Sequence, residues 1–296
     1  MNKGLVYFFL VVYSGIWGFS FVGTTAALKI LSPMEVLAAR WTLGALILVA
    51  LAAVRIIKVD FRGKPVKAML LCGFAQPVVY GITETYGIAM TTASESAIII
   101  ALTPVLVMII QTLFMGAKID KVAKFAIVIA FAGVLCTVVF AEGFSLGGEA
   151  LGYVILFITA FSSSLFLISS HNLSDRFTTF ERTLLMAVEG SIVFNIIVLL
   201  QKGSFDYVRV CFTDAGTFWS IMFLGVGCTF ICYVFCNLCL SELPVHIVAT
   251  VQDNLVTIVG AISGIMMDGD PWGVHTVVGL LFMVIGVVLV NRPEKS

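Results

Sequence analysis

The sequence predicts an all-α membrane protein whose ten transmembrane helices form two inverted five-helix repeats. Composition is the first observation behind this. Sixty per cent of the 296 residues are hydrophobic and 11% charged, against roughly 25% charged in soluble globular domains. The second is length, because apolar runs fill nearly the whole chain, enough for about ten spans of ~20 residues with short connections and no sizeable soluble domain. The third is an internal repeat. Phe131-Ala132-Gly133-Val134-Leu135 in the fifth span resembles Val284-Ile285-Gly286-Val287-Val288 in the tenth. The turn before the fifth span, Ala117-Lys118-Ile119-Asp120, carries lysine, whereas Asp268-Gly269-Asp270 before the tenth carries only acid. Five is odd, so tandem five-helix units cross a bilayer in opposite senses, and the charge reversal is what that demands. The expected repeats are residues 1–145 and 146–296.

The spans run from about Gly4 to Leu28, Glu35 to Ile56, Lys67 to Met90, Ala93 to Gly116, Val122 to Phe140, Glu149 to Ser170, Arg182 to Leu200, Thr213 to Leu238, Val245 to Met266 and Trp272 to Val290. Behind a single Lys3, the first is longer than the ~7 to 15 residues of a signal-peptide core, so it is read as retained. Pro33, Pro244 and Pro271 fall in turns or first helical turns, where proline is tolerated. Pro77 and Pro104 fall inside the third and fourth spans. Each frees a backbone carbonyl, which a membrane tolerates only beside protein or water.

Lysine and arginine set the orientation. With the N-terminus inside, 13 of them lie on the cytoplasmic side: Lys3, Arg55, Lys58, Arg62, Lys64, Lys67, Lys118, Lys121, Lys124, Arg176, Arg182, Arg292 and Lys295. The opposite side holds Lys29, Lys202 and Arg209, and its turns are mostly acidic, with Glu142, Glu149, Asp206, Asp214, Asp268 and Asp270. Both termini are therefore expected in the cytoplasm of a multi-pass protein of the cell (inner) membrane. The 17 basic and 17 acidic side chains cancel, so nothing points to nucleic acid.

Polar residues within the spans are the candidate site. Gln76, Tyr80 and Glu84 are spaced four apart, which stacks them on one helix face, and Gly87 extends it. Polar groups in a lipid-like segment should face protein or a wet cavity. Gln252, Asp253 and Asn254 sit at the middle of the ninth span, where a charge costs ~2.5 to 3.5 kcal/mol on insertion scales. Asp253, with Thr250 and Thr257 nearby, either lines a cavity opposite Glu84 to take an amine or a proton, or bonds helix to helix. Trp17 lies inside the first span rather than at its end, as a cavity wall or gate. Ser162, Ser163 and Ser164 are either its small counterpart or plain packing. Glu189 either serves function or pairs with a neighbouring helix. Arg40 either snorkels to the outer surface or pairs with Glu35. Glu95 complements a helix dipole.

Seven cysteines fall mostly in apolar segments, so no disulfide is assigned. Cys228, Cys232, Cys236 and Cys239 form one stripe a turn apart, which cannot close a tetrahedron around one ion; packing is the expectation and no metal is assigned. His171, His246 and His275 fall at helix ends or in a first turn, which suits an interface better than ligation.

Trp17-Gly18-Phe19-Ser20-Phe21, the Pro33 to Arg40 stretch, Tyr86-Gly87-Ile88-Ala89-Met90-Thr91-Thr92-Ala93 leading to Pro104, and the glycine-bearing fifth span together resemble the EamA type of the drug/metabolite transporter superfamily. The likeness covers essentially the whole chain and rests on the order of these short motifs. It departs at Gly116-Ala117, where the family usually has Gly-Glu, and near Val256, where it expects a proline. The resemblance implies ten helices in two inverted halves around a central cavity, and movement of amino acids, metabolites or drugs, often as an exporter. The expectation is thus a secondary transporter working by alternating access, without cofactor. Trp17, Gln76, Tyr80, Glu84, Ser163, Gln252, Asp253 and Asn254 would bind the solute, protons are a candidate coupling ion, and a homo-oligomer is left open. The rival is an intramembrane enzyme using Glu84 and Asp253 as acid and base, though the chain has no His-Glu-x-x-His or phosphate-cradling loop. With deep acids Glu84, Asp253 and Glu189 against one base, Arg40 near the outer face, the solute is expected to be cationic, zwitterionic or neutral, with aromatic or aliphatic amino acids as first guess.

Overall fold

The computed structural model describes residues 2–116, 121–139, 148–270 and 273–290. Lys118, Glu142, Pro271, Trp272, Arg292 and Lys295, and the side chains of Lys121, Lys124, Glu149 and His275, lie outside the described residues. Among the described residues the structure has helices and no strand. In order the long helices are α1 (Lys3–Leu28), α2 (Pro33–Ala53), α3 (Val66–Met90), α4 (Ala93–Met115), α5 (Lys121–Val139), α6 (Ala150–Asn172), α7 (Thr179–Lys202), α8 (Ala215–Glu242), α9 (Val245–Asp268) and α10 (Val274–Val290). Helices α1 to α4 and α6 to α9 are each long and apolar enough to cross a membrane. Leu71, Phe114, Leu200 and Met266 stand exposed on the outside of the bundle, as lipid-facing side chains do. This is a multi-pass membrane protein.

Local chemistry starts several helices. Thr92 with Glu95, and Thr178 with Glu181, form capping boxes: each hydroxyl accepts from the backbone N–H three residues on, and each carboxylate accepts from the threonine N–H. Two otherwise orphaned donors are met at each turn. Glu95, expected to complement a helix dipole, does so within such a box.

Small residues let the helices approach. A Cβ on Gly18 would lie 2.5 Å from Val259, one on Gly44 2.7 Å from Thr229, and one on Gly225 2.7 Å from Leu43. So α1 lies close against α9 and α2 against α8, which is how helices associate where lipid offers no hydrophobic driving force. Gly286 of α10 abuts Ala130 of α5 in the same way, a Cβ there meeting Ala130 at 2.7 Å. The cysteine stripe packs α8 onto α1: Cys232 and Cys239 donate to the carbonyls of Tyr13 and Val6, each at 3.5 Å.

Among the described residues five of the long helices are interrupted, α1 at Phe19 between its Lys3–Gly18 and Ser20–Leu28 pieces. The residue before a proline is driven toward extended backbone, and Gln76, ahead of Pro77, has φ −146° and ψ 103° inside a widened turn at Phe74–Val79. In α4, the Ala93–Ile100 and Thr103–Met115 pieces meet at Ala101-Leu102, with Pro104 in the first turn of the second. Pro104 cannot donate to Ile100 O, and the Thr103 hydroxyl does so instead at 2.7 Å. α8 carries a longer π-type segment, Phe223–Cys232, and α9 ends in another, Gly264–Asp268. Neither contains a proline.

Candidate functional site

Beside the interruptions of α3, α4 and α8 lies a partly open cavity within the bundle, walled by residues of α1, α2, α3, α4, α6, α8 and α9. Trp17, Gln76, Tyr80, Glu84, Ser163, Gln252 and Asp253 all line it; Asn254 does not. Asn254 is half-buried elsewhere on α9, because neighbouring helix positions point about 100° apart. The Gln76, Tyr80 and Glu84 stack is also not a plain helical one, since the extended backbone at Gln76 sets its direction separately from the other two.

The end of the cavity nearer Ser32 is charged. Arg40 is buried, about two turns into α2, with Nη1 3.8 Å from Glu84 Oε2 and Nε donating to Thr229 Oγ1 at 3.3 Å. It neither snorkels nor pairs with Glu35. Glu35 instead accepts from the Ser32 backbone at 2.8 Å and lies 2.9 Å from Lys202. Tyr80 OH completes the Glu84 partners, donating to Oε1 at 2.8 Å. A buried carboxylate is tolerable when a cation and a hydrogen bond replace its water.

Across the middle, Gln76 Nε2 donates to Tyr233 OH at 2.6 Å. Tyr233 sits in an aromatic cluster, edge-on to Trp17 with centroids 5.0 Å apart and 5.2 Å from Trp41. Trp17 donates its indole N–H to Cys228 O at 3.2 Å, so this tryptophan bridges α1 to the widened segment of α8. Of the three serines, Ser163 lines the cavity. Ser162 donates to Ala75 O at 2.7 Å and Ser164 to Thr103 O at 3.1 Å, which ties α6 to the interruptions in α3 and α4.

The end nearer Asn2 holds the second carboxylate. Tyr13 OH donates to Gln252 Oε1 at 2.9 Å, which turns the amide so that Nε2 donates to Asp253 Oδ1 at 3.1 Å. Asp253 Oδ2 is buried without a hydrogen-bond partner, as is Gln76 Oε1. Thr257 donates to the Asp253 carbonyl at 2.6 Å rather than to its side chain.

Two further charges differ from expectation. Arg182, counted with the loop charges, is fully buried at the head of α7. It donates to Ser170 O and Oγ, Asn237 O and the Ser241 hydroxyl, and so closes the bundle below the cavity. Glu189 is absent from the cavity. It lines a shallow groove on the outside of the bundle with Lys67, Leu70, Leu71 and Phe74, against Gly73, where a Cβ would come 2.0 Å from Oε2. Sequence reasoning also missed Tyr13 and Tyr233. Both are tyrosines deep within spans rather than at their ends, the same signal that singled out Trp17.

A cavity lined by a few charges and bordered by interrupted helices, within a bundle of membrane-length helices, is the arrangement that membrane transporters use. The chain belongs to the EamA-like transporter family, whose model matches residues 3–139 and 150–292. It is similar to the uncharacterized transporter YcxC of Bacillus subtilis, at 26% identity over 98% of this chain and 94% of that one. An uncharacterized transporter of Archaeoglobus fulgidus is 22% identical over 99% of both chains. A crystal structure of 13% identity superposes with a TM-score of 0.70 over 96% of this chain and 94% of that one. That last likeness concerns the fold alone.

Proposed function

We propose that the protein is a secondary transporter that carries a small organic solute across the cell membrane by alternating access, in the export direction. The observation that carries this reading is the cavity itself: Glu84 and Asp253 line one space, walled on one side by α1 to α4 and on the other by α6, α8 and α9. Charges are rare at this depth in a membrane because each is costly, and a solute path is what they ordinarily serve. The proposed halves are residues 1–145 and 146–296, ten spans in all. The pair of family matches, 3–139 and 150–292, supports that division, as does the contact of Gly286 with Ala130 between the fifth and tenth helices. Both termini are placed in the cytoplasm on the lysine and arginine count.

The solute is cationic, zwitterionic or neutral. The lining carries one arginine against two carboxylates, and an anion would need two or more fixed basic groups. Trp17, Gln76, Tyr80, Glu84, Ser163, Gln252 and Asp253 are proposed to contact it. A proton and a substrate cation would compete for Asp253, whose Oδ2 has no partner, and that competition supplies coupling.

The test is solute counterflow into vesicles holding the purified protein, screened over amino acids, amines and sugars. Saturable counterflow of at least one solute, weakened by Glu84→Gln, is expected. Chemical conversion of a solute without passage would favour an intramembrane enzyme, and the absence of any counterflow would contradict the proposal.

A further inference from the structure

Resting on the transporter reading, we propose that Tyr13, which does not itself line the cavity, is a positioning residue for solute binding: acting through Gln252, it keeps one oxygen of Asp253 open to a solute.

Three buried side chains form a chain from α1 into the cavity wall. Tyr13 is fully buried, and its ring lies edge-on to Trp17 with centroids 5.1 Å apart, so packing fixes where its hydroxyl sits. That O–H donates to Gln252 Oε1 at 2.9 Å, and the Cys236 thiol donates to the same oxygen at 3.7 Å. Two donors on Oε1 leave the amide N–H group facing Asp253, where Nε2 donates to Oδ1 at 3.1 Å. The reverse orientation would set Oε1 against the carboxylate, two acceptors with no proton between them when Asp253 is ionised. Oδ1 is thereby satisfied, and Oδ2, buried and without a partner, is left for a solute N–H or O–H.

Gln252 is the flexible link in this chain, because its side chain rotates unless something holds the far end. Tyr13→Phe removes the hydroxyl with little change of shape and leaves Oε1 with a thiol, which is a weak donor. The amide is then free to withdraw its N–H from Oδ1 or to swing it onto Oδ2. Either movement weakens the hold of Asp253 on a solute, by about tenfold for a hydrogen bond to a charged group. A tyrosine that only packed α1 against its neighbours would affect stability and leave the apparent affinity as it was.

The experiment is counterflow into vesicles containing the purified full chain. Phenylalanine, lysine, phenethylamine and glucose stand first for the amino acids, amines and sugars of the wider panel, and KM and maximal rate are measured for each solute exchanged. Tyr13→Phe should raise KM about tenfold and keep the maximal rate. Gln252→Met should raise KM as well, and adding Tyr13→Phe to it should change nothing more, because the tyrosine then has no amide to orient. An unchanged KM in Tyr13→Phe would overturn the proposal, as would a fall in maximal rate alone or effects that multiply in the double variant. Should Tyr13→Phe fail to give a monodisperse profile in detergent, Tyr13→Met, which also lacks the hydroxyl, makes the same comparison. Exchange by the unmodified protein with no KM effect in the variants removes the positioning role and leaves the transporter reading standing. If no solute of the wider panel is exchanged, both fall.

Discussion

Arg40 and Glu84 carry the clearest energetic consequence of the structure, because both side chains are buried, 6% and 7% exposed, and each is the other's counter-ion. Removing one partner strands a charge, at a cost of about 3 to 5 kcal/mol, while removing both does not. Arg40→Met should therefore lower thermal stability more than the double variant Arg40→Met with Glu84→Gln; equal losses would mean the pair is not coupled. Glu189 leads to the opposite expectation. It lies in the outer groove with a buried oxygen lacking a partner, so Glu189→Gln should raise stability by about 1 to 3 kcal/mol and leave exchange intact. A loss of exchange at unchanged stability would put Glu189 on the solute path. That these charged residues sit deep in spans was legible from sequence. Their partners were not, since a residue's place on its own helix does not say which neighbouring helix it faces.

Among the elements, α3 and α8 differ in how far their shape can be read. Pro77 announces the interruption of α3, and physical reasoning from the residue before proline gives the extended backbone seen at Gln76. No proline marks Phe223–Cys232 of α8. There Thr229 donates to Leu224 O five residues back, at 3.0 Å, while receiving Arg40 Nε, so tertiary contacts accompany the wider turn. The two interruptions meet through the Gln76 to Tyr233 hydrogen bond. Pro77→Ala restores a backbone donor to α3 and should draw Gln76 back toward helical geometry, away from Tyr233. The expected outcome is slower counterflow from a protein that remains folded. Counterflow at the original rate would show that the extended backbone at Gln76 has no part in transport.

At the scale of the whole molecule, ties close the bundle at both ends of the cavity. Lys64 pairs with Glu181 and Cys239 bonds Val6 O at one end. At the other, Lys202 pairs with Glu35 and Asp270 accepts from the Ser94 backbone at 2.8 Å. Every one of these contacts joins residues 1–145 to residues 146–296, and alternating access would open one set while keeping the other. Helix order and extent were legible because apolar runs of membrane length leave little choice. These ties were not, since they join residues far apart in sequence through loops and helix ends with no periodic signal.

Alternating access, as proposed, has one cavity facing each side of the membrane in turn. Its most direct test is a single cysteine, Ser163→Cys, in a chain whose seven native cysteines are replaced, probed with a membrane-impermeant maleimide from either side of sealed vesicles. Labelling from both sides, with the ratio shifted by a transported solute, is the predicted result. Labelling from one side alone, or from neither with solute present, would contradict the account.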